Sequence, residues 1–122
     1  MRRPEAEFHL KPVLWVGDSL DTLRLFPSGV QDHIGYALEL AQRGMKHRSA
    51  KPLRGLDAVE IVSDFDSDTF RAVYTVKLAG IVYVLHCFQK KSKRGIATPR
   101  TDIELIRRRF QSAKEDYSKR IS

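Results

Sequence analysis

The sequence predicts an α+β domain in which a small, antiparallel-dominated sheet packs against helices. Three strand-like runs, residues 58–62, 70–76 and 81–89, follow one another through connections short enough for hairpins. Two other stretches repeat their apolar residues at helical spacing: Val30, Ile34, Ala37, Leu38 and Ala41 in one, and Ile103, Ile106, Phe110, Ala113 and Tyr117 in the other. A length of 122 residues with 42% hydrophobic content suits one core and not two, so residues 1–122 read as a single domain.

The elements follow in order. Residues 1–11 form an N-terminal extension, and Val13-Leu14-Trp15-Val16 is a β-branched and aromatic run closed by the turn residues Gly17 and Asp18. Asp18 can cap a short helix whose apolar edge, Leu20, Leu23 and Phe26, ends at Pro27. Ser28 and Gln31 have capping-box spacing for the next helix, and Gly44 is a natural stop for it. Residues 42–56 carry Arg43, Lys46, Arg48, Lys51 and Arg54 without an acid and read as an exposed basic loop.

The three strands come next, joined through 63–68 and 78–80, with an antiparallel meander as the simplest arrangement. The last is apolar at both parities, as expected of a strand covered on both faces. A final helix is expected near Pro99, with Thr98 as its cap and residues 118–122 as a frayed tail. The resulting order is β-α-α-β-β-β-α.

Charge is the strongest functional signal. The chain carries 22 Lys and Arg against 15 Asp and Glu, a net +7 that favours polyanions or an acidic protein partner, with nucleic acid the first candidate. The distribution is also uneven, because residues 69–101 hold Arg71, Lys77, Lys90, Lys91, Lys93, Arg94 and Arg100 and no acid. Cys87, the single cysteine, sits in an apolar strand pattern and reads as a small core residue in a reducing compartment. The N-terminal residues lack a secretory apolar run and no stretch is long enough to span a bilayer, so a soluble, cytoplasmic protein without membrane contact is expected.

Cofactor chemistry has little support in the sequence. A P-loop, a dinucleotide fingerprint, CxxC and HExxH are all missing, and His9, His33, His47 and His86 are scattered, so neither a metal nor a cofactor is expected. The remaining signal is a set of bases around a small sheet. Lys51-Pro-Leu-Arg-Gly-Leu-Asp-Ala-Val-Glu-Ile61, Phe70-Arg-Ala-Val-Tyr74, Val84-Leu-His-Cys-Phe-Gln-Lys-Lys91 and Thr98-Pro99 before a charged helix, taken in that order, resemble the phage-derived Gp49-like group of HigB toxins in the RelE/ParE superfamily. The resemblance spans roughly residues 12–117.

That resemblance implies a RelE-like order of elements and the toxin of a type II toxin–antitoxin system. It further implies a HigA-like helix-turn-helix antitoxin as partner in a hetero-oligomer, and a ribosome-dependent mRNA endoribonuclease activity that inhibits translation. Cleaving RNA without metal requires a base for the 2′-hydroxyl, cations for the charged transition state and an acid for the departing oxygen. Arg71 is the first candidate for phosphate stabilisation, with His86, Lys90 and Lys51 as further catalytic candidates. Arg54, Lys91, Lys93, Arg94, Arg107 and Arg108 are candidates for RNA binding.

Each candidate also has a plainer role. Arg71 suits a strand arginine paired with an acid, and Lys51 and Arg54 suit a solvated loop. Under strict alternation His86 shares a face with Val82, Val84, Phe88 and Lys90, which makes it a core histidine or a proton-transfer group. Tyr74 and Tyr83 rank behind the bases as packing residues with a polar tip. Arg107, Arg108 and Arg109 together resemble a basic flank for ribosomal RNA. Two alternatives stand beside the endoribonuclease: a ParE-like, non-catalytic toxin that binds DNA gyrase, and a phage-related basic nucleic-acid-binding protein.

Overall fold

The computed structural model describes residues 10–90 and 98–122. Its elements are β1 (Val13–Trp15), α1 (Ser19–Leu23), α2 (Ser28–Gln42), β2 (Ala50–Leu53), β3 (Ala58–Phe65), β4 (Asp68–Thr75), β5 (Val82–Lys90) and α3 (Arg100–Ile121). The α+β class and the mostly antiparallel sheet agree with the sequence. The order does not, because a strand, β2, lies inside the stretch read as a basic loop.

β2 was hidden by its composition. Only Ala50 and Leu53 turn inward, while Lys51 and Pro52 are exposed. Proline gives no ladder N–H and signals against a strand, yet β2 is an edge strand, where that donor is not needed. It pairs antiparallel with β3, with Lys51 opposite Glu60 and Pro52 opposite Val59.

The five strands run β1-β5-β4-β3-β2 across the sheet. β3 to β5 form the expected meander, which β2 extends by one antiparallel strand, whereas β1 lies parallel to β5, Val13 beside Val82 and Trp15 beside Val84. The β3–β4 connection is tighter than 63–68: Phe65 already pairs with Asp68, and Asp66 takes a left-handed φ of 56° in the turn. Aspartate tolerates that region better than most residues.

Helices cover both faces of the sheet. On one, α1 and α2 bury Leu23, Val30, Ile34 and Leu38 against Ile61, Ala72, Tyr74, Val82 and Cys87. On the other, α3 buries Ile106, Phe110 and Ala113 against Val73, Tyr83, Leu85 and Phe88. β5 is buried through Phe88, as its two apolar parities predict. No helix among the described residues is long and apolar enough to cross a membrane.

The helix ends depart from the sequence reading in a consistent way. Asp18, Ser28 and Thr98 make no side-chain capping bond, and the N-caps of α2 and α3 are Pro27 and Pro99. Tertiary contacts have taken two of these side chains: Asp18 accepts a bond from Arg109 Nη2 at 2.7 Å, and Thr98 donates one to Glu60 Oε2 at 2.8 Å. Gln31 Nε2 instead donates to the carbonyls of Phe26 and Arg24, closing the α1–α2 corner. Gly44 does end α2, with φ 83° and Met45 N–H reaching Leu40 O at 2.8 Å. α3 continues to Ile121, so 118–121 is its last turn where a frayed tail was expected.

Candidate functional site

The face of the sheet that carries α3 gathers the polar residues of interest. Across β2, β3, β4 and β5 the register sets Lys51, Glu60, Val73 and His86 in one row. The next row is Val62, Arg71 and Phe88, and the one beyond is Asp64, Thr69 and Lys90. Residues opposite one another in paired strands share a face with Cβ atoms about 5 Å apart, so Lys51, Arg71, His86 and Lys90 all belong to this side.

A bulge decides which side His86 takes. Val73 pairs with His86 but Tyr74 pairs with Val84, leaving Leu85 as the extra residue. Strict alternation breaks there, because a bulge sets two residues against one and turns the strand. Val82, Val84 and Cys87 therefore pack under α1 and α2, whereas Tyr83, Leu85 and Phe88 pack under α3. His86 does not share a face with Val82 and Val84. It stacks on Phe88, ring centroids 4.9 Å apart, and its Nε2 meets Asp102 Oδ1 of α3 at 2.6 Å.

That contact sets the imidazole chemistry. A carboxylate only accepts, so Nε2 carries the proton, and in the neutral ring Nδ1 keeps its lone pair. His86 Nδ1 is buried and has no hydrogen-bond partner among the described residues. An aspartate holding one nitrogen while the other is a base is the arrangement that orients a general base.

Arg71 is also buried, which its place among strand bases did not indicate. It is 6% exposed and Glu60 is 7% exposed, and Arg71 Nη1 donates to Glu60 Oε1 at 3.0 Å. Glu60 Oε2 accepts from Thr98 just ahead of α3. The carboxylate thus links the middle of the sheet to the start of the last helix. Residues 69–101 lack acids in sequence, but Glu60 and Asp102 flank that segment and fold onto it, so the basic stretch is partly neutralised in space.

The other cations are distributed around this cluster. Lys51 is exposed on β2, Arg54 is exposed in the β2–β3 turn, and Lys90 is half-buried at the end of β5. Arg107 lines a cavity of about 260 Å³ with Gly55, Leu56, Asp57 and Lys114, which brings the α3 bases beside the β2–β3 turn. Arg108 is exposed. Arg109 is not part of a basic flank: it donates to Leu85 O at 3.0 Å and pairs with Asp18, whose carboxyl it holds below the usual carboxylate range. Lys91, Lys93 and Arg94 lie outside the described residues.

Both strand tyrosines belong to the packing. Tyr83 donates to Asp116 Oδ2 at 2.6 Å, and burial with that carboxylate raises its hydroxyl to about 12. Tyr74 is buried under α2, which also raises its pKa. Among the described residues there is no group of three or more His, Cys, Asp or Glu able to hold a metal ion. The sequence reading gave Thr98 only as a helix cap and did not single out Glu60 or Asp102 as site residues. Glu60 in the middle of an otherwise apolar run, Ala58-Val59-Glu60-Ile61-Val62, was the available signal, since a lone carboxylate in a buried strand requires a cation.

Fold and site together define a small α+β protein with a basic, ion-paired sheet face next to the start of its last helix. The phage-derived Gp49-like protein family (DUF891) matches residues 21–111, and the chain belongs to that family. No curated protein matches it significantly.

Proposed function

We propose that this phage-derived protein engages nucleic-acid backbone through the α3 face of its sheet, and that it is the toxin of a type II toxin–antitoxin system cutting mRNA on the ribosome without a metal. The observation that carries this reading is His86, oriented by Asp102 with Nδ1 left as a base, one row from the Arg71 guanidinium. In the reaction, RNA binding first uncovers the buried His86 Nδ1, which then takes the proton of a 2′-hydroxyl as that oxygen attacks the neighbouring phosphorus. Arg71 and Lys90 stabilise the added negative charge, and the 5′-oxygen leaves with a proton supplied by a nearby acid. Lys51, Arg54, Arg107 and Arg108 hold the backbone through phosphate contacts. A HigA-like helix-turn-helix antitoxin and the ribosome are the partners this reading requires.

One observation favours a second reading, a basic nucleic-acid-binding protein that does not cut. Arg71 and Glu60 form a buried pair, with side chains 7% and 9% exposed, which suits a structural role for the arginine. The deciding experiment adds the purified protein to a reconstituted translation system and follows a defined message by primer extension. Cleavage lost in His86→Ala supports the endoribonuclease. Intact message together with salt-sensitive RNA binding supports the second reading. Intact message with trapped gyrase–DNA complexes would point to the ParE-like alternative.

A further inference from the structure

We propose that the Glu60 carboxylate occupies a phosphate-binding site made by Arg71 and Thr98, and that a backbone phosphate enters by displacing it. The proposal deepens the nucleic-acid reading above and rests on it. The two carboxylate oxygens are held separately, Oε1 by Arg71 Nη1 at 3.0 Å and Oε2 by the Thr98 hydroxyl at 2.8 Å. A guanidinium and a hydroxyl converging on two oxygens of one anion form a donor set equally suited to the non-bridging oxygens of a phosphodiester. The site also lies one row from His86 and on the same face, where a reacting phosphate would have to sit.

The displaced carboxylate has somewhere to go. Lys51 stands directly opposite Glu60 in the β2–β3 register, on the exposed edge strand. Swinging toward Lys51 moves Glu60 from a buried cation to an exposed one, so its charge is not stranded. Thr98 stands one residue before the Pro99 N-cap of α3, so the exchange also bears on the start of that helix and on Asp102 in its first turn. Glu60 then acts as a specificity filter: any anion must compete with the carboxylate for Arg71 and Thr98, so free phosphate enters only at high concentration, whereas a polyanion held also by Lys51, Arg54 and Arg107 enters far more readily.

The test uses the full chain and inorganic phosphate. In Glu60→Gln the amide keeps a hydrogen bond to Arg71 but carries no charge, and phosphate affinity measured by calorimetry should rise at least tenfold over wild type. Equal or weaker phosphate binding by the folded variant overturns the proposal. Should that variant fail to fold, the wild-type side-chain carboxyl carbon of Glu60 is followed by NMR during phosphate titration. A saturable shift is expected, and phosphate binding that leaves this signal unmoved overturns the exchange. A short RNA titrated in parallel separates the two ideas. RNA binding without any Glu60 effect sinks the exchange alone, whereas phosphate exchange without RNA binding upholds it and removes the nucleic-acid reading.

Discussion

Replacing Glu60 by alanine should destabilise the protein severely, because the change leaves a buried guanidinium without its carboxylate. Two unit charges about 4 Å apart attract by about 4 kcal/mol at an effective dielectric constant near 20. Desolvation of both ions offsets much of that gain in the intact pair, but not when one partner is removed, and breaking a buried pair costs about 3–5 kcal/mol. The Thr98 bond is lost as well. For a domain of this size, about 4 °C of melting temperature per kcal/mol places the drop at about 12–20 °C.

Urea unfolding followed by Trp15, the single tryptophan, reports the change, since that ring packs against the core beneath α2. The decisive arm is the double variant Glu60→Ala/Arg71→Met. With both charges gone but a cavity left by the shorter side chains, the double variant should be less destabilised than the sum of the two singles by at least about 1 kcal/mol. A single-variant loss below about 1 kcal/mol, or a double variant as unstable as the sum of the two singles, would refute the buried-pair argument.

Three further outcomes are expected. Cys87 is buried and its thiol is raised to about 12, so a disulfide reagent at pH 8 should leave it unmodified in the folded protein and react at once in urea; fast labelling of native protein would contradict its burial. Tyr83, raised from 10.0 to about 12, and Cys87, raised from 9.0, both hold their protons more tightly folded than unfolded, so their contribution is whole below about pH 9 and is lost as pH climbs toward 12 in an alkaline melt. Gly17 has φ 59°, and a Cβ there would stand 2.7 Å from Arg109 Cζ, so Gly17→Ala should cost about 1–2 kcal/mol from the left-handed backbone alone, and more as Arg109 is pushed from Asp18 and Leu85.

Much of the fold was legible because apolar periodicity is a local signal. The faces of α2 and α3, the three long strands and the burial of β5 on both sides all followed from spacing. β2 did not, because an edge strand with Lys51 and Pro52 facing solvent buries too little to leave a pattern. The caps failed for a related reason: Asp18 and Thr98 have the right chemistry, but partners distant in sequence offered their side chains better bonds.

The candidate site divides in the same manner. Sequence alone determined that residues 69–101 carry bases and no acid and that Cys87 is interior, since composition and alternation are properties of a segment. Only the tertiary structure decided what those bases face. The bulge at Leu85 turned His86 toward α3, and the register brought Lys51 opposite Glu60. Glu60 and Asp102 lie outside the acid-free segment, yet they sit against its arginine and histidine. Side-chain direction after a bulge, and hydrogen bonding between residues as far apart as Glu60 and Thr98, depend on where separate strands and helices meet, which no local pattern records.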